Sequence, residues 1–220
     1  VLTPFLKVET PTTFKDHPNT FSALLYTQIN KCNLNCYQCH NRRHFKGEEE
    51  FLKEEELKEK LSMLKLLGVE LIIISGGEPT LEGNLEKGLE VIKRENFPVR
   101  LDTNGTNPEK IKKLIKEGLI DGVALDLKIP LKSEYTPSEL KRFKRILFSS
   151  ESLEDSKIYE YSNKVKLTLN LMKEHPLPYN ILRTVKYPFL NEDEIEKIKG
   201  EVKPLPCPYQ VNPFYSVEEA

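Results

Sequence analysis

The sequence predicts an α/β fold, an open partial (β/α)6 barrel, on three observations. Short apolar runs rich in β-branched residues alternate with longer segments of helical period, the pattern of βα units around a parallel sheet. About six such units fit into the 220 residues, fewer than the eight that close a barrel of roughly 250 residues. Residue types able to hold ligands gather where the strands end, the edge at which parallel sheets build their sites.

The elements follow in order. FSALLYTQI, Phe21 to Ile29, is the first strand, and a cysteine-rich loop follows it directly. From about Phe51 to Leu67 the period is helical: Leu57, Leu61 and Leu64 share a face, and Gly68 is placed to stop the helix. VELIIIS, Val69 to Ser75, reads as a buried strand. A helix near Leu85 to Arg94 comes next, then the strand VRLD, Val99 to Asp102, then a helix opened by NPEK with Pro108 in its first turn. DGVALDLK, Asp121 to Lys128, supplies another strand. The polar, proline-free stretch from Leu153 to His175 reads mainly as helix, although KVKLTLNL, from Lys164, alternates like a strand. YNILRTV, Tyr179 to Val185, is a strand; NEDEIEKIKG is a helix capped by Asn191 and stopped at Gly200; YQVNPF is the last strand. Seven of the fifteen prolines lie after His175, which predicts a turn-rich end. One domain over residues 1–220 is expected, with a core of about 20–214 and an N-terminal extension of 1–19.

Hydrophobic residues make up 38% and charged residues 30%, with a net charge of -1, the composition of a soluble globular protein. The basic excess expected of a nucleic-acid binder is missing, so no nucleic-acid partner is predicted. The longest apolar run, Leu71 to Ile74, is too short to cross a bilayer, and no basic flank leads into an apolar signal region at the start. No membrane partner is predicted, and the expected location is the cytoplasm.

Three of the four cysteines, Cys32, Cys36 and Cys39, fall within NKCNLNCYQCHN at spacing C-x3-C-x2-C. In a reducing compartment such clustering reads as metal ligation before disulfides. A closed zinc site needs a fourth ligand from His40, His44 or Cys207. A four-iron cluster held by three thiolates instead leaves one iron with an open position. The spacing favours the cluster and leaves zinc as the alternative. Cys207, between Pro206 and Pro208, reads as a buried small hydrophobe.

Other segments add to this pattern. SGGEPT, Ser75 to Thr80, places a glycine pair at a strand end, where the backbone can approach a ligand or simply turn tightly. Glu78 is suited to an ammonium group, or to solvent. LDTNG, Leu101 to Gly105, and LDLK, Leu125 to Lys128, put Asp102 and Asp126 near strand ends, as site residues or as turn formers, with Lys128 a site residue or a surface charge. Arg183 alternates onto a strand suited to burial, and a buried arginine needs an anion. His17 and His175 read as structural or solvated.

CNLNCYQCHN resembles the cluster loop of radical S-adenosylmethionine (SAM) enzymes, and SGGEPT resembles their methionine-binding GGE motif. FKDHPNTFSALLYTQINKCNLNCYQCHN, LDTNGTNPEKIKKLIKEGLIDGVALDLK and LRTVKYPFLNEDEIEKI look like the glycyl-radical-enzyme activases, in particular the activating proteins of anaerobic ribonucleoside-triphosphate reductase. The resemblance covers most of Phe14 to Ile198; Ser133 to Pro178 and the C-terminal tail match poorly. It implies that Cys32, Cys36 and Cys39 bind three irons of a [4Fe-4S] cluster and that SAM chelates the fourth through its amino and carboxylate groups. Gly76, Gly77 and Glu78 would hold the methionine ammonium. Asp102, Thr103 and Asp126 match positions associated with a monovalent cation beside the SAM carboxylate, and Asn104 lies in the same cofactor-binding turn. Lys128 matches a residue that reaches SAM, Arg183 would lie near its nucleoside or sulfonium end, and Asn212 is a candidate ribose contact. Two departures stand out: the aromatic residue usual before the third cysteine is Gln38 here, with Tyr37 one place earlier, and a glycine common before the first cysteine is Lys31.

The implied activity is cleavage of SAM to a 5'-deoxyadenosyl radical that takes hydrogen from a glycine of a partner enzyme, the anaerobic reductase, with flavodoxin or ferredoxin as electron donor. Two alternatives remain: a radical SAM enzyme acting on another peptide or a small molecule, and a zinc-stabilised binding module.

Overall fold

The computed structural model describes residues 1–44 and 49–217, without the side chains of Arg43 and His44. In chain order its elements are β1 (Leu2–Leu6), β2 (Thr12–Thr13), β3 (Ser22–Tyr26), α1 (His40–His44), β4 (Phe51–Lys53), α2 (Glu54–Leu66), β5 (Leu71–Ser75), α3 (Leu85–Arg94), β6 (Val99–Thr103), α4 (Pro108–Lys116), β7 (Gly122–Asp126), α5 (Pro137–Phe148), α6 (Ser156–Glu174), β8 (Ile181–Lys186), α7 (Glu192–Val202) and β9 (Tyr209–Pro213).

Six strands, β3-β5-β6-β7-β8-β9, pair in parallel and in chain order, with β2 antiparallel on the outer edge of β3. Parallel neighbours need crossovers, and α2, α3, α4, α6 and α7 lie in the five intervening connections. The order runs from one edge to the other without closing, so the sheet is a curled half-barrel, as the unit count predicts. Its central strands are largely apolar because both faces are covered: in LIIIS of β5 the first four residues are fully buried. In-step registers, Tyr26 with Ser75, Thr103 with Leu125 and Asp126 with Arg183, bring these strand ends to one rim.

Several expectations need correction. Phe51–Lys53 is a strand, not the start of a helix, because it pairs antiparallel with β1; α2 begins at Glu54 and buries the expected Leu57, Leu61 and Leu64. Segment 1–19 supplies β1 and β2, and Pro4 and Phe5 pack so closely on α3 that a Cβ on Gly88 would lie 2.6 Å from Pro4. Gly200 does not stop α7, which runs on to Val202. Helix α5 is an addition to the predicted elements. The alternating run from Lys164 is helical, because Val165, Thr168, Leu169 and Met172 stack inward at spacings of three and four.

Candidate functional site

The loop after β3 carries the three cysteines, and neighbouring elements hold its backbone. The last turn of α5 accepts two of its amides: Asn35 N–H donates to the Leu147 carbonyl and Tyr37 N–H to the Ile146 carbonyl, both at 2.9 Å. From the other side the β5 loop is stitched on, with Glu78 N–H donating to the Lys31 carbonyl (2.8 Å) and Asn41 Nδ2 to the Gly76 carbonyl (2.6 Å). The turn after β6 closes a third side: Asn33 Nδ2 donates to Thr106 Oγ1 (2.7 Å), and Asn104 Nδ2 to Asn33 Oδ1 (3.0 Å). Burial pushes the Cys36 thiol up to about 11 and raises Cys32 as well, the latter opposed by the Leu34 N–H that faces its sulfur at 3.5 Å.

The glycine pair is required by the chain's own packing. Gly76 has φ +134°, and a Cβ there would collide with Thr27, whose carbonyl oxygen would stand 2.7 Å away. A Cβ on Gly77 would lie 2.5 Å from the Lys31 carbonyl oxygen. Both glycines therefore let the β5 turn press against the root of the cysteine loop. Glu78 is 1% exposed, which removes the solvated reading. Its Oε1 accepts from the hydroxyls of Thr80 and Thr103 (both 2.7 Å), and its Oε2 accepts the Asn104 N–H (2.8 Å). Burial raises its carboxyl above the ordinary range against these donors.

Beyond Glu78 a row of alternating charge crosses β6, β7 and β8. Arg100, fully buried, donates to both oxygens of Asp102; Arg183 bridges Asp102 Oδ2 (3.0 Å) and Asp126 Oδ1 (2.9 Å); Lys128 Nζ lies 3.8 Å from Asp126 Oδ2. Burial disfavours both Asp126 and Lys128 as ions, but their neighbours prevail: Arg183 and Lys128 hold Asp126 low, while Cys36, Tyr187 and Asp126 hold Lys128 high. Neither aspartate caps a helix; Asn107 caps α4.

These groups line one cavity of about 280 Å³: Cys32, Cys36, Cys39, Gly76, Gly77, Glu78, Asp102, Thr103, Asn104, Asp126, Lys128 and Arg183 all face it. Tyr37, Val185, Tyr187, Pro213, Phe214 and Tyr215 add a largely apolar, aromatic wall to the same cavity, with the Tyr37 ring packed against Phe189 and Phe214. Asn104 acts mainly as a link between the cysteine loop and the β6 turn. Asn212 does not line the cavity, and half-buried Cys207 lies apart from it. His17 is structural, packed against Tyr179 and beside Arg100. Gln38, with φ +47°, turns the loop and accepts the Val217 N–H (3.1 Å).

Sequence reading missed Arg100, Asn33, Asn41 and the aromatic wall. Arg100 had a legible signal, because residues two apart on a strand share a face, as Arg100 and Asp102 do. The aromatic wall had none, being assembled from three distant segments.

Three thiols that each take one iron of a cluster stand around it, whereas ligands of a single ion converge on a point. Among the described residues no three His, Cys, Asp or Glu side chains converge in the second way, and the side chain of His44, one candidate zinc ligand, lies outside them. The Leu34 amide at 3.5 Å and Asn104 Nδ2 at 4.0 Å from Cys32 Sγ supply the N–H groups that tune cluster thiolates. Three thiols lining one cavity, with N–H groups beside Cys32 Sγ, fit a cluster with an open iron, and the charged side chains and aromatic rings of that cavity suit an amino acid joined to a nucleoside.

Comparison with known proteins agrees. The family model described as "Radical SAM superfamily" matches residues 26–202. The "Putative glycyl-radical enzyme activating enzyme" of Methanocaldococcus jannaschii is 31% identical over 189 residues, 86% of this chain and 71% of that protein. A "Probable GTP 3',8-cyclase" of Pyrococcus abyssi is 31% identical over 97 residues, 44% of this chain and 31% of its own length. Among solved structures, Streptococcus suis SuiB bound to S-adenosylmethionine shares the fold at TM-score 0.63 and 15% identity, over 94% of this chain and 42% of that one.

Proposed function

The chain belongs to the radical SAM superfamily, and on that premise we propose that it is a glycyl-radical-enzyme activase whose partner is an anaerobic ribonucleoside-triphosphate reductase. The observation that carries the proposal is the single cavity uniting the three thiols, the Gly76–Glu78 turn and the carboxylate–guanidinium row. The activase relative supports it further, since it matches most of both chains.

Cys32, Cys36 and Cys39 would hold a [4Fe-4S] cluster, which with SAM supplies one-electron cleavage to methionine and a 5'-deoxyadenosyl radical when flavodoxin or ferredoxin delivers the electron. The residues of the chain do the positioning. Glu78 and the Gly76 carbonyl present anionic and dipolar oxygen to the methionine ammonium, while Arg183 and Lys128 face its carboxylate. The aromatic wall of Tyr187 and Phe214 gives the adenosyl end an apolar seat and limits water, as a reactive carbon radical requires. A glycine loop of the partner would enter from the rim of the unclosed sheet.

The test is anaerobic incubation of reconstituted protein with SAM, reductant and the reductase, read by electron paramagnetic resonance. A glycine-centred radical on the reductase, with 5'-deoxyadenosine formed alongside, is expected. SAM cleavage with no radical on the partner would defeat the activase reading, and turnover of GTP in its place would favour the small-molecule alternative to which the cyclase relatives point.

A further inference from the structure

The two aspartates matched to a monovalent-cation site already hold a cation of the protein's own. Arg183 donates Nε–H to Asp126 Oδ1 and Nη2–H to Asp102 Oδ2 at 2.9 and 3.0 Å. Behind Asp102, Arg100 donates Nε–H to Oδ1 (2.9 Å) and Nη2–H to Oδ2 (3.2 Å), and its Nη1–H to the Asp16 carbonyl (2.5 Å). Asp102 therefore receives three N–H groups. The third potential ligand is engaged too: the Thr103 hydroxyl donates to Glu78 Oε1 and accepts the Gly105 N–H at 3.1 Å.

The charges lead to the same conclusion. Arg100, Asp102, Arg183, Asp126 and Lys128 form a buried or half-buried row of three cations and two anions. An alkali ion placed among them would be a fourth positive charge, and to reach the carboxylate oxygens it would have to displace guanidinium donors in a site of low dielectric. Arg183 also has capacity left: it lines the cavity, and among the described residues its Nη1 makes no hydrogen bond.

We propose that Arg183 is the resident cation of this site, neutralising Asp102 and Asp126 and offering Nη1 to the SAM carboxylate, so that cofactor binding needs no alkali metal ion. Arg100 is a positioning residue that acts through Asp102. The inference rests on SAM occupying the cavity, as in the preceding section.

The test is calorimetric titration of SAM into the anaerobically reconstituted holoenzyme in tetramethylammonium salts, with and without K⁺ or Na⁺ at fixed ionic strength. The dissociation constant should change by less than about twofold, whereas tightening of roughly tenfold with K⁺ or Na⁺ would overturn the inference and leave the SAM reading intact. Failure to bind SAM in every buffer would overturn both. Arg183→Gln should weaken SAM binding by roughly tenfold or more, the loss expected for a charge-assisted bond, and should recover part of it with K⁺ or Na⁺. As a readout independent of SAM, the unfolding temperature of the cluster-free protein should be unmoved by K⁺ in the parent and raised by it in Arg183→Gln. Arg183→Met, which also removes the charge, provides the same comparison should the glutamine variant fail to fold, while Arg183→Lys, which keeps the charge, should stay insensitive to K⁺. A variant series insensitive to alkali ions in both assays would overturn the assignment.

Discussion

A Cβ on Gly77 would sit 2.5 Å from the Lys31 carbonyl oxygen, so an alanine there forces the β5 turn away from the root of the cysteine loop. Gly77→Ala should cost about 1–3 kcal/mol, as overpacking does, and lower the iron bound per chain after reconstitution. Full iron loading in that variant would contradict the stitching of the two loops. Glu201 allows a different test. Burial pushes its carboxyl up to about 7, one oxygen accepts the Leu131 N–H, and the other is buried with no hydrogen-bond partner among the described residues. A raised folded-state value means that the stabilising contribution is complete below the unfolded value of about 4.5 and is lost as pH climbs through about 7. Glu201→Gln should therefore match the parent near pH 4.5 and exceed it in urea stability at pH 8; a constant difference across that range would contradict the assignment. At this scale the sequence showed residue types but not their partners. The three cysteines, Glu78, Asp102, Asp126, Lys128 and Arg183 were legible because ligand-type residues at strand ends are few. That the glycines serve the neighbouring backbone, and that Arg100 saturates Asp102, depends on contacts between residues far apart in the chain.

Helix α5 matters to the site through its last carbonyls, at Ile146 and Leu147, which hold the amides of Tyr37 and Asn35. Its start carries a capping box: the Thr136 hydroxyl accepts the Glu139 N–H, and Glu139 accepts the Thr136 N–H at 2.8 Å. Thr136→Ala should lower unfolding free energy by about 1 kcal/mol in urea titrations, the usual value of such a cap. An unchanged midpoint would show that the cap contributes nothing. The TPSE signal for this helix was present in the sequence, with proline in the first turn and glutamate at the third helical position, but it lay in a segment where the family resemblance was poor. By contrast, β1, β2 and β4 had no local signal strong enough to read. They are two to five residues long and exist because a partner strand completes their hydrogen bonds.

Over the whole molecule, parallel strands in chain order bring separate loops to one rim, and this makes a site from residues as distant as Cys32 and Arg183. The half-barrel was legible because strand and helix periods alternate in a regular way; the closeness of the aromatic wall to the cysteine loop was not, since it depends on how the tail after β9 folds back. There His40 Nε2 lies 3.1 Å from the Tyr215 carbonyl, and Val217 N–H reaches Gln38. The central claim is that three thiolates leave one iron for SAM to chelate. Metal and sulfide analysis of anoxically reconstituted protein, joined to electron paramagnetic resonance of the reduced cluster with and without SAM, addresses it most directly. The account predicts about four irons and four sulfides per chain, and a cluster signal that changes when SAM is added. About one zinc per chain with no sulfide, or a four-iron signal indifferent to SAM, would contradict it.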